Sequence, residues 1–378
     1  MDGMPDRETL LIPGPVSVAD DVLTALAEPV RPHYGAEWAD MYRRTASQLA
    51  AVFGTSGDVY QLFGAGSAGV EMALRSTLTQ GDVVLVVGDG FFGQRMADVA
   101  RASGLEVERL ETPPRRPVEL DAVAARLARA PRVRALAIVH HETDLGMLNP
   151  LRELCRLAHE HGALTVVDAI ASLGGVELQM DAWGIDVCVS VANKCLAAPI
   201  GIAPVAVGEG AWAAARDGRP KSPGWYLSLE TWREAAEVDA SWHPHPTTVP
   251  SSNTRALAVA LDAVMAEGLG PFQARHAAAA ARVREGLREL GFEMLVDDDV
   301  ASPVTTAVLA MDGMDVRDFQ GWLRERHGLV LGGGLGRYAG RLLRVGHMGR
   351  ALDPDVIDRF LAATADYVTS RIRPVRTS

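Results

Sequence analysis

The sequence is short of the features that would take it away from an ordinary folded chain. It has three cysteines, Cys155, Cys188 and Cys195, which make neither a compact disulfide pattern nor a metal cluster, so the reducing cytoplasm is the expected compartment. No uninterrupted apolar stretch reaches the roughly 18 residues of a membrane span. The polar start Met1-Asp2-Gly3-Met4-Pro5-Asp6-Arg7-Glu8-Thr9 lacks the apolar core of a signal peptide. Basic residues are spread out and the formal net charge is -11, which gives a nucleic-acid surface little support. No short internal repeat and no coiled-coil heptad is present.

What is there is a chain of 378 residues, 48% hydrophobic and 22% charged, long enough for a large core and a second domain. An extended entry at 10–15, a helical turn at 22–26 and a helix at 37–53 come first. Strand-like and helix-like segments then alternate: 59–63 and 70–78, 83–87 and 94–102, 133–139 and 151–161, followed by strand-like runs at 163–167 and 185–192. This order predicts an α/β fold, a mostly parallel sheet covered by helices, with functional loops beyond the C-terminal ends of the strands. Loops are expected at 113–117 and 220–225. Residues 254–290 have helical spacing, broken at Gly268, Gly270 and Pro271. A smaller α+β region follows, with strands at 305–311 and 341–345 and helices at 315–325 and 353–372. The expected division is a large domain of residues 21–260 and a small domain of 261–378 joined by the N-terminal segment 1–20.

Chemistry enters where two strand-like runs end. One leads through Asn193 into Lys194 and the other stops at Asp168. A lysine can form an imine with an aldehyde and a carboxylate can keep a ring nitrogen protonated, the two contributions that pyridoxal phosphate chemistry asks of a protein. The loop Phe63-Gly64-Ala65-Gly66-Ser67-Ala68-Gly69 separates a strand from a helix expected at Val70. Its small residues permit close approach to a phosphate, the helix start offers unpaired N–H groups, and Ser67 adds a hydroxyl. It has no complete Walker or dinucleotide fingerprint, which makes ATP and NAD poorer choices.

Phe92 offers a face on which a flat ring can stack. Thr143, in His140-His141-Glu142-Thr143-Asp144, can hydrogen-bond a phenolic oxygen. Each of these residues also has an ordinary reading as turn glycine, core aromatic, helix cap or solvated lysine. His140 and His141 are adjacent and point in different directions, and no ligand set at zinc spacing accompanies them, so no metal is expected.

Taken in order, Leu11-Ile12-Pro13-Gly14-Pro15, Gly64-Ala65-Gly66-Ser67-Ala68, Phe92-Gly93-Gln94-Arg95, His141-Glu142-Thr143, Val167-Asp168-Ala169, Asn193-Lys194 and Arg344-Val345-Gly346-His347-Met348-Gly349 resemble the class V aminotransferases. These are fold-type I pyridoxal phosphate enzymes, and the likeness is greatest to alanine–glyoxylate and serine–glyoxylate aminotransferases. The resemblance implies pyridoxal 5'-phosphate as cofactor and a large mostly parallel-sheet domain beside a smaller α+β domain. It implies that Gly66, Ser67 and Ala68 hold the phosphate, Phe92 stacks on the ring, Thr143 meets the phenolic oxygen and Asp168 pairs with the ring nitrogen. Asn193 is then the polar residue before the catalytic Lys194, and Arg344 the anchor of a substrate carboxylate. Thr247 and Thr248 resemble the segment that reaches the phosphate of a neighbouring subunit, which implies a homodimer.

Ser67 stands where relatives use histidine or threonine, Phe92 where tryptophan is common, and Ser190-Val191-Ala192-Asn193-Lys194-Cys195 is closer to 2-aminoethylphosphonate–pyruvate aminotransferases. The implied reaction is amino transfer from alanine or serine to glyoxylate or pyruvate. The alternatives are 2-aminoethylphosphonate–pyruvate aminotransfer, a pyridoxal phosphate lyase or decarboxylase and, more weakly, a nonenzymatic ligand-binding protein. Arg31, His33 and Tyr34 are candidates to line the entrance, outside the catalytic set.

Overall fold

The computed structural model describes residues 8–110, 112–113, 115–129 and 131–372. Residues 1–7 of the polar start and Pro114 of the proline-rich connection lie outside them. In chain order the strands are β1 (Thr9–Leu11), β2 (Asp58–Phe63), β3 (Val83–Val87), β4 (Glu106–Arg109), β5 (Val133–Val139), β6 (His141–Glu142) and β7 (Met147–Leu148). They continue with β8 (Leu164–Asp168), β9 (Val187–Val189), β10 (Ile202–Val207), β11 (Thr305–Leu309), β12 (Leu329–Gly333) and β13 (Leu342–Gly346). Seven form one sheet in the order β2-β10-β9-β8-β5-β3-β4. β10 runs antiparallel to both of its neighbours, and the other pairings are parallel.

The uninterrupted apolar run of β3 follows from cover on both faces of the sheet. Leu85 and Val87 join Val133, Leu136 and Ile138 in one apolar layer, while Val84 and Val86 join Ala135, Ala137 and Val139 in the other. The register between β3 and β5 shifts after Val83, which pairs with Val133 while Val84 pairs with Ala135; Arg134 is the extra residue, and the alternation resumes beyond it. Each fully buried valine or leucine contributes about 1.5–3 kcal/mol. β10 is hidden from a reading of the sequence because Pro204 sits inside it, and proline argues against an interior strand.

The second sheet has the order β1-β12-β13-β11, so three residues near the start of the chain are stitched, parallel, onto a strand more than three hundred positions later. Leu11 packs there with Leu331 and Val345 beneath Phe319 and Phe360. The covering helices have clear starts. Asp315 accepts hydrogen bonds from the backbone N–H groups of Arg317 and Asp318 to open Val316–His327, and Asp353 accepts from Asp355 N to open Pro354–Tyr367, with proline in its first turn. The break expected near Gly268 is real: Gly268, with φ +88°, ends the helix Ser251–Glu267 and begins Leu269–Glu289. Among the described residues no helix is long and apolar enough to cross a membrane.

Candidate active site

Asp168 is the last residue of β8, and Lys194 lies a few residues beyond β9, the strand paired beside it. Asp168 is buried, and its Oδ1 accepts a hydrogen bond from Ile170 N at 2.9 Å. Burial raises its pKa to about 6, against the pull of that hydrogen bond and of the positive charges of Lys194 and Arg95. Lys194 Nζ donates to the carbonyl oxygen of Pro13. Burial lowers the pKa of this amine to about 8 from 10.5, with Cys195 and Asp168 acting to raise it and Arg344 to lower it. A lysine so placed has a sizeable neutral fraction in mildly alkaline solution, and neutral amine is the form that attacks a carbonyl carbon.

The N-terminal chain closes over this amine. A side chain on Gly14, where φ is +94°, would put its Cβ 2.4 Å from Lys194 Cδ and 2.5 Å from Nζ. The small residues after β2 serve a second close approach: a Cβ on Gly66 would meet Ile170 Cδ1 at 2.4 Å and Val191 Cγ1 at 2.9 Å. The helix Gly66–Thr77 therefore begins directly against the segments carrying Asp168 and Lys194. It starts at Gly66 rather than at Val70, so Ser67 and Ala68 belong to its first turn and not to a loop. Glycine and serine in this first turn read as loop punctuation in the sequence. No side chain caps this helix and no acidic residue occupies its first turn, which leaves its N–H groups and dipole available to an anion.

Arg344 rises from β13 beside Thr143. Its Nε donates to Gly333 O at 2.7 Å and its Nη1 to Thr143 O at 3.4 Å. It is 9% exposed, and burial lowers its pKa while the charge of Asp144 acts the other way. Among the described residues no carboxylate forms an ion pair with it. Thr143 Oγ1 and His141 Nε2 are buried with no hydrogen-bond partner, and buried polar atoms of that kind call for a ligand or water.

Phe92 lies in the first turn of the helix Phe91–Ala102, which begins before the expected Gln94. The guanidinium carbon of Arg95 sits 5.1 Å from the centre of the Phe92 ring and 4.9 Å from that of Phe91. Asn193 is half-buried in the turn before Lys194. Thr247 and Thr248 stand apart from this group. Their loop packs through His245, which accepts a hydrogen bond from Trp38 Nε1 at 2.9 Å, and neither threonine hydroxyl is bonded within the described chain. Gly35 N donates to Trp242 O at 2.8 Å, tying the segment of His33 and Tyr34 to that same loop.

Comparison with known proteins gives this arrangement its family. Residues 23–347 match the sequence family described as aminotransferase class-V. The chain belongs to the class V aminotransferases. An uncharacterized aminotransferase of Methanocaldococcus jannaschii is 34% identical over 93% of this chain and 90% of its own length. Pyridoxamine–pyruvate transaminase of Mesorhizobium japonicum is 32% identical over 92% of this chain and 88% of its own. The crystal structure of an alanine–glyoxylate aminotransferase from Nostoc sp. superposes with a TM-score of 0.91 at 29% identity, covering 98% of this chain and 97% of that one.

Class V aminotransferases are pyridoxal phosphate enzymes, and the residues present fit that group. They supply an uncapped helix start for a phosphate, an unpartnered Thr143 hydroxyl, a buried carboxylate at Asp168 and a desolvated amine at Lys194. Pro13 and Gly14 are contributors that an extended entry at 10–15 leaves without an assigned contact in the sequence. The Pro-Gly-Pro run was the signal, since it fixes a sharp course that leaves room for the lysine beneath. Lysine scarcity was a second signal, for the chain contains two, Lys194 and Lys221.

Proposed function

We propose that this aminotransferase moves an amino group from a small amino acid, with alanine and serine as donors, to glyoxylate or pyruvate. The observation that carries the reading is the buried Arg344 guanidinium, without an acidic partner among the described residues and set beside Thr143. A planar guanidinium matches a carboxylate through two parallel N–H bonds, which fixes the donor relative to Lys194. The bound cofactor supplies an electron sink and the amino carrier. Lys194, half-buried and for that reason neutral in part, would hold and move the proton at the donor's α-carbon. Asp168 holds the ring nitrogen in its protonated form, Thr143 donates to the phenolic oxygen, and Phe92 covers one ring face. Gly66, Ser67 and Ala68 hold the phosphate, and Asn193, the polar residue before the lysine, belongs to the cofactor-binding set.

The same reading includes a homodimer in the cytoplasm. Thr247 and Thr248, whose hydroxyls form no hydrogen bond among the described residues and whose loop is joined to the segment of His33 and Tyr34, are assigned to the phosphate of the partner's site. It also divides the chain into a large domain, 21–260, and a small one, 1–20 with 261–378; the pairing of β1 with β12 supports placing the first residues in the small domain.

A second reading, transfer from 2-aminoethylphosphonate to pyruvate, is favoured by the segment 190–195 and by the ability of arginine to bind phosphonate oxygens. The test is a panel of alanine, serine and 2-aminoethylphosphonate against glyoxylate and pyruvate, with oxo and amino products both measured. Nitrogen appearing on the acceptor supports the proposal. Ammonia without an aminated acceptor would make the protein a lyase, and carbon dioxide release a decarboxylase.

A further inference from the structure

Glu142 and Asp144 are an acidic pair that the reaction described above does not use. Glu142 is fully buried and Asp144 is 6% exposed. A Cβ built on Gly90 would lie 2.3 Å from Asp144 Oδ1 and 2.3 Å from Glu142 Oε2, so one oxygen from each carboxyl flanks the same point. Asp144 Oδ2 accepts a hydrogen bond at 3.0 Å from Phe91 N, the first residue of the helix that carries Phe92. Among the described residues no side chain donates to Asp144 Oδ1 or to either Glu142 oxygen, and the Gly90 amide is the N–H that bears on Glu142. Two ionised carboxylates flanking such a point repel one another with no side-chain donor between them, whereas a single proton satisfies one oxygen of each.

We propose that Glu142 and Asp144 share one proton, the Glu142 carboxyl O–H donating to Asp144 Oδ1, and that the pair is a positioning device which holds the start of the Phe92 helix. The charges around it agree. Burial first, and then the charges of Asp144, Asp168 and Asp89, push the Glu142 pKa up to about 8 against the pull of the Gly90 amide. Asp144 is raised by burial, and Arg344 and Arg337 face it from the second sheet's side. Arg337 is itself paired with Asp89 at 3.0 Å, and Arg109 donates to Gly88 O on the preceding turn. Ionisation of Glu142 removes the donor that orients Asp144, and with it the anchor of Phe91 N.

The infrared spectrum of the cofactor-loaded protein, recorded near neutral pH in water and in deuterated water, tests this directly. The expected result is a buried protonated-carboxyl stretch in the unaltered protein that is missing from Glu142→Gln. No such band, or a band that survives the substitution, overturns the proposal. Glutamine keeps an N–H donor toward Asp144, so Glu142→Gln retains kcat within about threefold near neutrality, while Glu142→Ala loses more. The activity ratio of the unaltered protein to Glu142→Gln falls about tenfold from pH 7 to pH 9, because the carboxyl loses its proton over that range and the glutamine amide does not, while the titration of Lys194 is common to both and cancels. A flat ratio, or Gln and Ala variants equally impaired, contradicts a shared proton. The role given to the helix start rests on the proposed function. If amino transfer itself fails, the infrared arm still reads the proton, and the two failures are told apart.

Discussion

Gly14 lies so close to Lys194 that a methyl group on it would sit 2.4 Å from Cδ and 2.5 Å from Nζ. The entry segment and the Lys194 amine thus occupy adjoining space, with Pro13 O accepting a hydrogen bond from that amine. Gly14→Ala must move the lysine, and its positive φ adds about 1–2 kcal/mol of strain. The expected outcome is at least about a hundredfold loss of kcat/KM, with a circular dichroism spectrum like that of the unaltered protein. Full activity in this variant would mean that the entry segment swings away in solution.

Thr143→Val removes a hydroxyl that has no hydrogen-bond partner among the described residues. No internal hydrogen bond is lost, so denaturant unfolding of the cofactor-free protein should change by less than about 1 kcal/mol. Cofactor affinity, read by equilibrium dialysis, should fall about tenfold. Equal affinity in the two proteins would take Thr143 out of the cofactor site.

Lys194 makes a prediction with a defined sign. Its folded pKa of about 8 lies below the ordinary 10.5, so between those values the unfolded chain binds more protons than the folded one. Stability of the cofactor-free protein should therefore rise with pH across that window through this group. Lys194→Met, which buries no charge, should be the more stable protein at neutral pH and should lose that advantage as pH climbs from about 8 to about 10.5. Thermal melts at a series of pH values decide it; a less stable methionine variant at neutral pH would show that the amine is well solvated.

Arg344→Lys replaces a flat fork of donors by a point charge. The KM for an amino-acid donor should rise about tenfold to a hundredfold, or about 1.5–3 kcal/mol, with the smaller change in kcat. An unaltered KM would locate the carboxylate anchor elsewhere.

Much of this was legible in the sequence because parallel strands buried on both faces leave continuous apolar runs. The residues 83–87 and 133–139 coincide with β3 and β5 for that reason. Lys194 and Asp168 were legible too, as polar residues ending such runs. β10 was hidden by Pro204, β4 by its charged residues at the sheet edge, and the helix starts at Gly66 and Phe91 by glycines that read as loop. The Glu142 and Asp144 pair was beyond reach for another reason: the point where their oxygens meet is made by the turn at Gly88 and Gly90, some fifty positions earlier.

The central claim is that Lys194 is the amine that carries the cofactor. The chain's second lysine, Lys221, is bonded to Asp217 at 2.8 Å and to Thr79, so the two amines are chemically distinct. Borohydride reduction of the cofactor-loaded protein, followed by proteolysis and mass spectrometry, should place the pyridoxyl adduct on the peptide containing Lys194. An adduct on Lys221, or none on Lys194 while bound cofactor is seen in the absorption spectrum, would contradict the account.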